Sequence, residues 1–234
     1  MVKLMKRLII IPAYNEEDSI LETVRRIKEH AESFDLVVVN DCSDDNTPEL
    51  CRKEEIPLID LSVHLGIGGA MQAGYLYALK NGCDIAVQID ADGQHDPAFL
   101  SAMEHLLISK HADMVIGSRF LERKGFQSSP LRRSGIRYFS WLIRFLTGQE
   151  ITDPTSGMRM VNRDVIREFA EDYPVDFPEP ESLMRVIKEG KKVLEMPVVM
   201  KERMRGRSSI RMKGSLYYMI KVTIAILLER MRKQ

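Results

Sequence analysis

No stretch of this chain reaches the ~18–20 consecutive apolar residues that a membrane-spanning helix requires. Repeats and low-complexity segments are absent as well. Net charge is missing too, because Lys and Arg total 34 and so do Asp and Glu. Overall charge therefore points to no class of partner, and no nucleic-acid partner is expected. Cysteine is scarce: Cys42, Cys51 and Cys83 have no metal-ligand spacing and cannot all pair, which suits a reducing compartment. The opening MVKLMKRLIIIPAYN contains an apolar run too short for the core of a signal peptide and reads as a first strand.

What is present is an ordinary globular composition, 44% hydrophobic and 29% charged over 234 residues, which excludes a disordered chain and suits one domain or a domain with a small appendage. The charge is unevenly placed. From Lys201 onward there are ten basic residues and two acidic ones, Glu202 and Glu229, so the tail carries +8 and residues 1–200 carry −8. A basic end of this kind suits phosphates or an anionic membrane surface.

Apolar spacing predicts strands at 7–11, 35–39, 57–61 and 84–89, separated by helices at 16–32, 47–54 and 68–81. Uninterrupted apolar strands alternating with helices indicate an α/β fold with a mostly parallel, doubly covered sheet. Ligands of such sheets bind beyond the carboxyl ends of the strands. The loops there read PAYNEED, NDCSDDNT and DADGQHDP, all acidic. Farther on, helices are expected at 97–109, 136–147, 165–171, 180–189 and 215–232, with strands at 113–117 and 192–200. Residues 122–135 and 201–212 read as loops rich in basic residues.

Asp90, Asp92 and Gln94 follow a buried strand within one turn of chain. Carboxylates placed together repel, and a hard divalent cation, Mg²⁺ or Mn²⁺, relieves the repulsion while leaving positions open for substrate phosphates. Asp96-Pro97 is better read as the cap of the next helix. Phosphate also needs cations, and Arg is the residue that grips it in two-pronged fashion. Arg119, Arg132, Arg133, Arg203, Arg205 and Arg207 supply them, with Arg119 directly after a strand and so at the same crevice. His95 stands beside the acidic group as an orienting residue or a ligand, and Asp153 as a general base or a turn residue. The glycines of Leu65-Gly-Ile-Gly-Gly lack the G-x-G-x-x-G pattern and are not read as a phosphate loop.

Seven segments in order, IIPAYNEEDSI, VVVNDCSDDNT, HLGIGGAMQAG, VQIDADGQHDP, VIGSRF, TDPTSGMRMVNR and ERMRGRSSI, give the chain a family resemblance over residues 7–211. It resembles the family-two glycosyltransferases of GT-A fold, and among them the polyprenyl-phosphate sugar transferases typified by dolichol-phosphate mannose synthase. The resemblance implies that Pro12, Ala13, Tyr14 and Glu16 line a nucleotide pocket and that Asp41 recognises the base or ribose. Asp90, Asp92 and Gln94 would hold the metal, and Arg119 and Arg132 the acceptor phosphate. Arg203 would bind the donor diphosphate, with Ser208 in the same mobile loop. One departure is His64, where the family usually has Asn.

Residues 1–212 would then form the catalytic domain and 213–234 an amphipathic helix. Its apolar stripe is flanked by Lys213, Lys221, Arg230, Arg232 and Lys233, which suits an anionic membrane surface or a small membrane protein. Folding back on the core, or pairing two subunits as a homo-oligomer, is the alternative. The expected activity is inverting transfer from a nucleotide-sugar to undecaprenyl phosphate at the cytoplasmic face of the membrane. UDP-N-acetylglucosamine or UDP-glucose comes first as donor and GDP-mannose next. A transferase extending a glycan at a hydroxyl would instead use Glu179 or Glu181 as base. An idle nucleotide-binding scaffold would have no need of the aspartate and arginine set.

Overall fold

The computed structural model describes residues 5–122, 124–125, 129–201 and 212–232. Four apolar runs pair in parallel: Arg7–Ala13 (β1), Asp35–Asn40 (β2), Leu58–Asp60 (β3) and Ile85–Gln88 (β4), in the order β3-β2-β1-β4. Met114–Ser118 (β5), Arg159–Asn162 (β6) and Val193–Pro197 (β7) extend the sheet to seven strands, with the order continuing β4-β6-β5-β7. β6 runs antiparallel to both β4 and β5, whereas β5 and β7 are parallel. This is the mixed α/β, mostly parallel sheet expected from the apolar runs.

Period-two alternation on β1 divides the core into two layers. Leu8 and Ile10 face Gly66–Lys80 (α3), Pro130–Thr147 (α5), Arg163–Glu171 (α6), Pro178–Lys188 (α7) and Met212–Met231 (α8). Ile9 and Ile11 face Ile20–His30 (α1), Thr47–Lys53 (α2) and Leu100–Ser109 (α4).

Two differences from the sequence-based expectation have physical causes. β6 was not anticipated; it is four residues long and its first side chain is an arginine, buried at 1% exposure. α5 begins at Pro130, inside the expected loop, because Ser129 Oγ accepts the Arg132 N–H at 3.3 Å and Pro130 occupies the first turn. Arg132 and Arg133 therefore sit on a helix. α8 packs Val222 and Ile226 into the common core but leaves Ile220, Ile224, Leu228 and Met231 exposed. Among the described residues no helix is long and apolar enough to cross a membrane.

Gly68 illustrates how closely α3 approaches its neighbours. A Cβ there would lie 2.0 Å from the Pro174 carbonyl oxygen and 2.3 Å from that of Val175, while the Gly68 N–H donates to Val175 O at 3.0 Å. The glycine thus serves helix–loop contact. Gly68→Ala is expected to cost about 2 kcal/mol through overpacking against backbone, lowering Tm by roughly 4–8 °C at this chain length. An unchanged melting curve would show that the 174–175 turn yields freely.

Candidate functional site

β1, β2, β3 and β4 end on one edge, and the loops leaving them are locked to one another. Pro12 and Ala13 are buried at the end of β1, and Ala13 O accepts the Asp41 N–H at 2.9 Å. Asn15 takes a positive φ of 55° and receives the Asp44 N–H on Oδ1 at 2.9 Å. Glu16 accepts from Ser19 Oγ at 2.7 Å, and its N–H donates to Thr47 Oγ1 at 2.9 Å. Tyr14 projects outward at 44% exposure. Asp41 is buried at the end of β2, with Leu65 N–H donating to its Oδ1 at 2.7 Å and His64 Nδ1 3.0 Å from Oδ2.

The acidic turn after β4 is held from several sides. Thr23 Oγ1 donates to Ala91 O at 2.8 Å and Arg26 Nη1 to Gly93 O at 3.0 Å, so α1 clamps the turn. Asp90 keeps a side-chain exposure of 38%, receives Gln88 Nε2–H on Oδ1 at 2.9 Å and donates its own N–H to His95 Nδ1 at 3.0 Å. His95 is 3% exposed. Because its Nδ1 accepts, the ring proton lies on Nε2, which faces Asp90 Oδ2 at 3.7 Å. His95 therefore orients Asp90. Asp92 is buried at 4% exposure and accepts the Gln94 N–H at 3.0 Å, and Gln94 is paired through its backbone to Lys201. Asp96 caps the following turn by accepting from Ala98 N at 3.2 Å.

Facing Asp90 is the segment between α5 and β6. A Cβ at Gly157 would come within 3.0 Å of Gln88 Nε2 and 3.1 Å of an Asp90 oxygen, so a side chain there would make these groups give by a few tenths of an ångström. Arg119, at the end of β5, is 7% exposed and forms a two-pronged pair with Asp153: Nε to Oδ2 at 2.6 Å and Nη2 to Oδ1 at 2.7 Å. Burial alone would lower the Arg119 pKa; the Asp153 carboxylate, aided by Asp90, more than reverses this and raises it. Asp153 is 0% exposed and committed to this pair, so the general-base role considered for it is set aside. Arg132, exposed on the first turn of α5, is pushed the other way by crowding of the surrounding chain and by the Arg119 charge. Two guanidiniums in electrostatic reach of one another form a seat for an anion. Glu179 and Glu181 lie in the first turn of α7, and burial raises both carboxyls, with Arg159 opposing the shift at Glu179. Arg203 and Ser208 lie outside the described residues.

The structure thus brings Arg119 into electrostatic range of Asp90, Arg132 and Glu179, and Glu179 into range of Asp90 and Arg132, with Asp92 and Gln94 on the same turn as Asp90. Sequence reasoning missed Gln88, Gly157 and Arg159. Gln88 was visible as the one amide in an apolar strand; Arg159 donates to Ser156 O, Glu179 O and Pro154 O and so ties the 154–156 turn to α7. Asp90, Asp92 and Gln94 are hard oxygen donors, the type Mg²⁺ or Mn²⁺ takes. Among the described residues no three His, Cys, Asp or Glu side chains make a full cage. The donor set therefore fits a cation that fills its remaining positions with substrate oxygens and water.

Comparison with known proteins places these residues in context. Residues 8–169 match the glycosyl transferase family 2 profile. The chain is 33% identical over 230 residues to an undecaprenyl-phosphate mannosyltransferase of Micrococcus luteus, covering 91% of this chain and 89% of the relative. It is 31% identical over 182 residues to a UDP-N-acetylglucosamine–dolichyl-phosphate N-acetylglucosaminyltransferase of Methanococcus voltae, covering 70% and 72%. Among solved structures, glucosyl-3-phosphoglycerate synthase from Mycobacterium tuberculosis, in complex with Mn²⁺, UDP and glucosyl-3-phosphoglycerate, superposes with a TM-score of 0.71 at 21% identity, covering 97% of this chain and 80% of that one.

Proposed function

The chain belongs to glycosyl transferase family 2, has the GT-A fold and is a glycosyltransferase; from that premise we propose that it transfers a sugar from a nucleotide-sugar to the phosphate of a membrane polyprenol. The observation that carries this is the 153–157 segment: Asp153 holds Arg119 in a two-pronged pair and Gly157 packs on the Asp90 carboxylate, with Arg132 in electrostatic reach of Arg119. The names of the Micrococcus and Methanococcus relatives, a mannosyl- and an N-acetylglucosaminyltransferase to polyprenyl phosphates, support it. Mannose and N-acetylglucosamine are accordingly the sugars to try first, followed by glucose.

Asp90, Asp92 and Gln94 are proposed to hold Mg²⁺ or Mn²⁺, which when bound supplies positive charge to the departing nucleoside diphosphate. Pro12, Ala13, Tyr14 and Glu16 border the nucleotide. Arg119, kept charged and fixed by Asp153, and Arg132 draw the acceptor phosphate to the opposite side of the sugar. A phosphate oxygen then forms the bond to the anomeric carbon as the bond to the diphosphate breaks, and the configuration inverts. Alignment and charge stabilisation do the chemistry. The acceptor is already ionised, so no proton has to be removed.

The acceptor's long chain requires a lipid surface, and one face of the protein suits it. On α8, Ile220, Ile224, Leu228 and Met231 are exposed; on α5, Trp141 and Phe145 stack at 5.7 Å and are 58% and 73% exposed. Thr223 Oγ1 reaches Tyr138 Oη at 3.3 Å and joins the two stripes. Trp and Tyr beside Arg137, Arg144, Lys221 and Arg230 form the composition of an interfacial surface. The protein is proposed to lie on the inner membrane face through this surface and residues 213–234.

Three outcomes are expected. EDTA stops transfer and Mn²⁺ restores it, while Asp92→Asn, which keeps an acceptor oxygen for Gln94 N–H, loses roughly 10²-fold or more with its fold intact. Full turnover in EDTA would remove the metal from the account. Glu179→Gln and Glu181→Gln each retain substantial rate. A fall of ~10²-fold in either, the scale of a lost general base, would favour a hydroxyl acceptor. The double variant Trp141→Ser/Phe145→Ser sediments with anionic vesicles roughly tenfold less than the parent. Equal sedimentation would move the membrane contact elsewhere.

A further inference from the structure

The departure at His64 has a geometry of its own. Asp41 is 3% exposed, and both its carboxylate oxygens are engaged: Oδ1 by Leu65 N–H at 2.7 Å and Oδ2 by His64 Nδ1 at 3.0 Å. The Asp41 carbonyl oxygen lies 3.1 Å from the same Nδ1. Both neighbours of Nδ1 can only accept, so Nδ1 carries the ring proton. In the neutral ring the Nε2 lone pair is left over, and among the described residues no hydrogen bond engages it. The His64 side chain is 53% exposed, and the Tyr14 ring lies 4.3 Å from it, tilted by 40°. Tyr14 leaves the end of β1, Asp41 the end of β2, and His64 follows β3. The two rings therefore form an aromatic ledge at the carboxyl edge, with the carboxylate behind it.

We propose that His64, oriented by Asp41, reads the nucleobase of the donor: the base lies against Tyr14 and His64, and Nε2 accepts a hydrogen bond from a protonated ring nitrogen. Uracil and guanine present such an N–H on the pairing edge. Cytosine and adenine present a lone pair there, which meets the Nε2 lone pair with no proton between them. Asp41, whose oxygens are already used, is a positioning residue and His64 makes the contact. Asn at this position would carry a donor and an acceptor on one rotatable amide and could turn to suit either kind of base. The inference rests on the nucleotide-sugar reading above and adds which bases the site admits.

Titration calorimetry of the full chain with UDP, GDP, CDP and ADP in the presence of Mn²⁺ tests it. UDP, GDP or both are expected to bind at least ~10-fold more tightly than CDP and ADP, the scale of an unmatched polar contact. His64→Asn and His64→Phe, both at an exposed position and checked for fold by circular dichroism, are expected to bring the ratio that is selective in the parent, CDP to UDP or ADP to GDP, to within about twofold. His64→Phe keeps a ring for stacking, so loss of selectivity without loss of binding is the signature of the Nε2 contact. Asp41→Ala, which frees the ring to turn, flattens the same ratio. Equal binding of all four nucleotides by the parent, or an unchanged ratio in both His64 variants, overturns the proposal while leaving the donor reading intact. Binding of none of the four overturns the donor reading and this inference with it.

Discussion

A charged guanidinium buried at the end of a strand is the constraint on which the cationic half of the candidate site depends. Arg119 can stay charged at 7% exposure because Asp153 meets it with both oxygens. Breaking such a pair leaves an uncompensated buried charge, which costs about 3–5 kcal/mol. Asp153 in turn is held by its backbone: its N–H and that of Thr152 donate to Glu195 at 2.8 and 2.7 Å. Burial raises the Glu195 carboxyl, and those donors oppose the shift. The loop bearing Asp153 also carries Ser156 and Gly157, and Gly157 packs on the Asp90 carboxylate. One ion pair therefore fixes the spacing between the cationic and acidic halves of the site.

The acidic half follows a different rule. Its carboxylates are oriented in part by neutral donors: Gln88 Nε2–H for Asp90 and the Gln94 N–H for Asp92. A neutral donor fixes the direction of a carboxylate without cancelling its charge. Arg26 and Lys201 are spent on Asp96, which caps a helical turn and lies one step away. There, burial pushes the carboxyl up, and Ala98 N–H with the two cations brings it down overall.

Much of this was legible in the residues. Continuous apolar runs at 7–11, 35–39 and 84–89 became β1, β2 and β4 because strands covered on both faces need no polar alternation. The acidic strand ends pointed to the crevice for the same topological reason. What stayed hidden depended on distant partners. Nothing local says that Arg159 starts a strand between β4 and β5, since that requires Val87 and Val115 to flank Met160. Asp153 looked like a base or a turn residue because its partner is 34 positions away. The start of α5 was available in Ser129-Pro130, a capping signal masked by the basic, glycine-containing run around it. The last helix read as amphipathic, and its two faces divide as core and exposed apolar stripe, the second being continued by aromatics on α5 that only the fold brings alongside.

The proposed function names one product: a sugar joined to a polyprenyl phosphate through the phosphate oxygen. The direct measurement is mass spectrometry of the lipid phase after the protein is incubated with undecaprenyl phosphate, Mn²⁺ and, in turn, GDP-mannose, UDP-N-acetylglucosamine and UDP-glucose. One of these donors is expected to shift the lipid by the mass of a single sugar, with fragmentation giving a sugar–phosphate ion. Lipid unchanged by every donor, together with sugar appearing on the hydroxyl of an added glycan, would contradict the account.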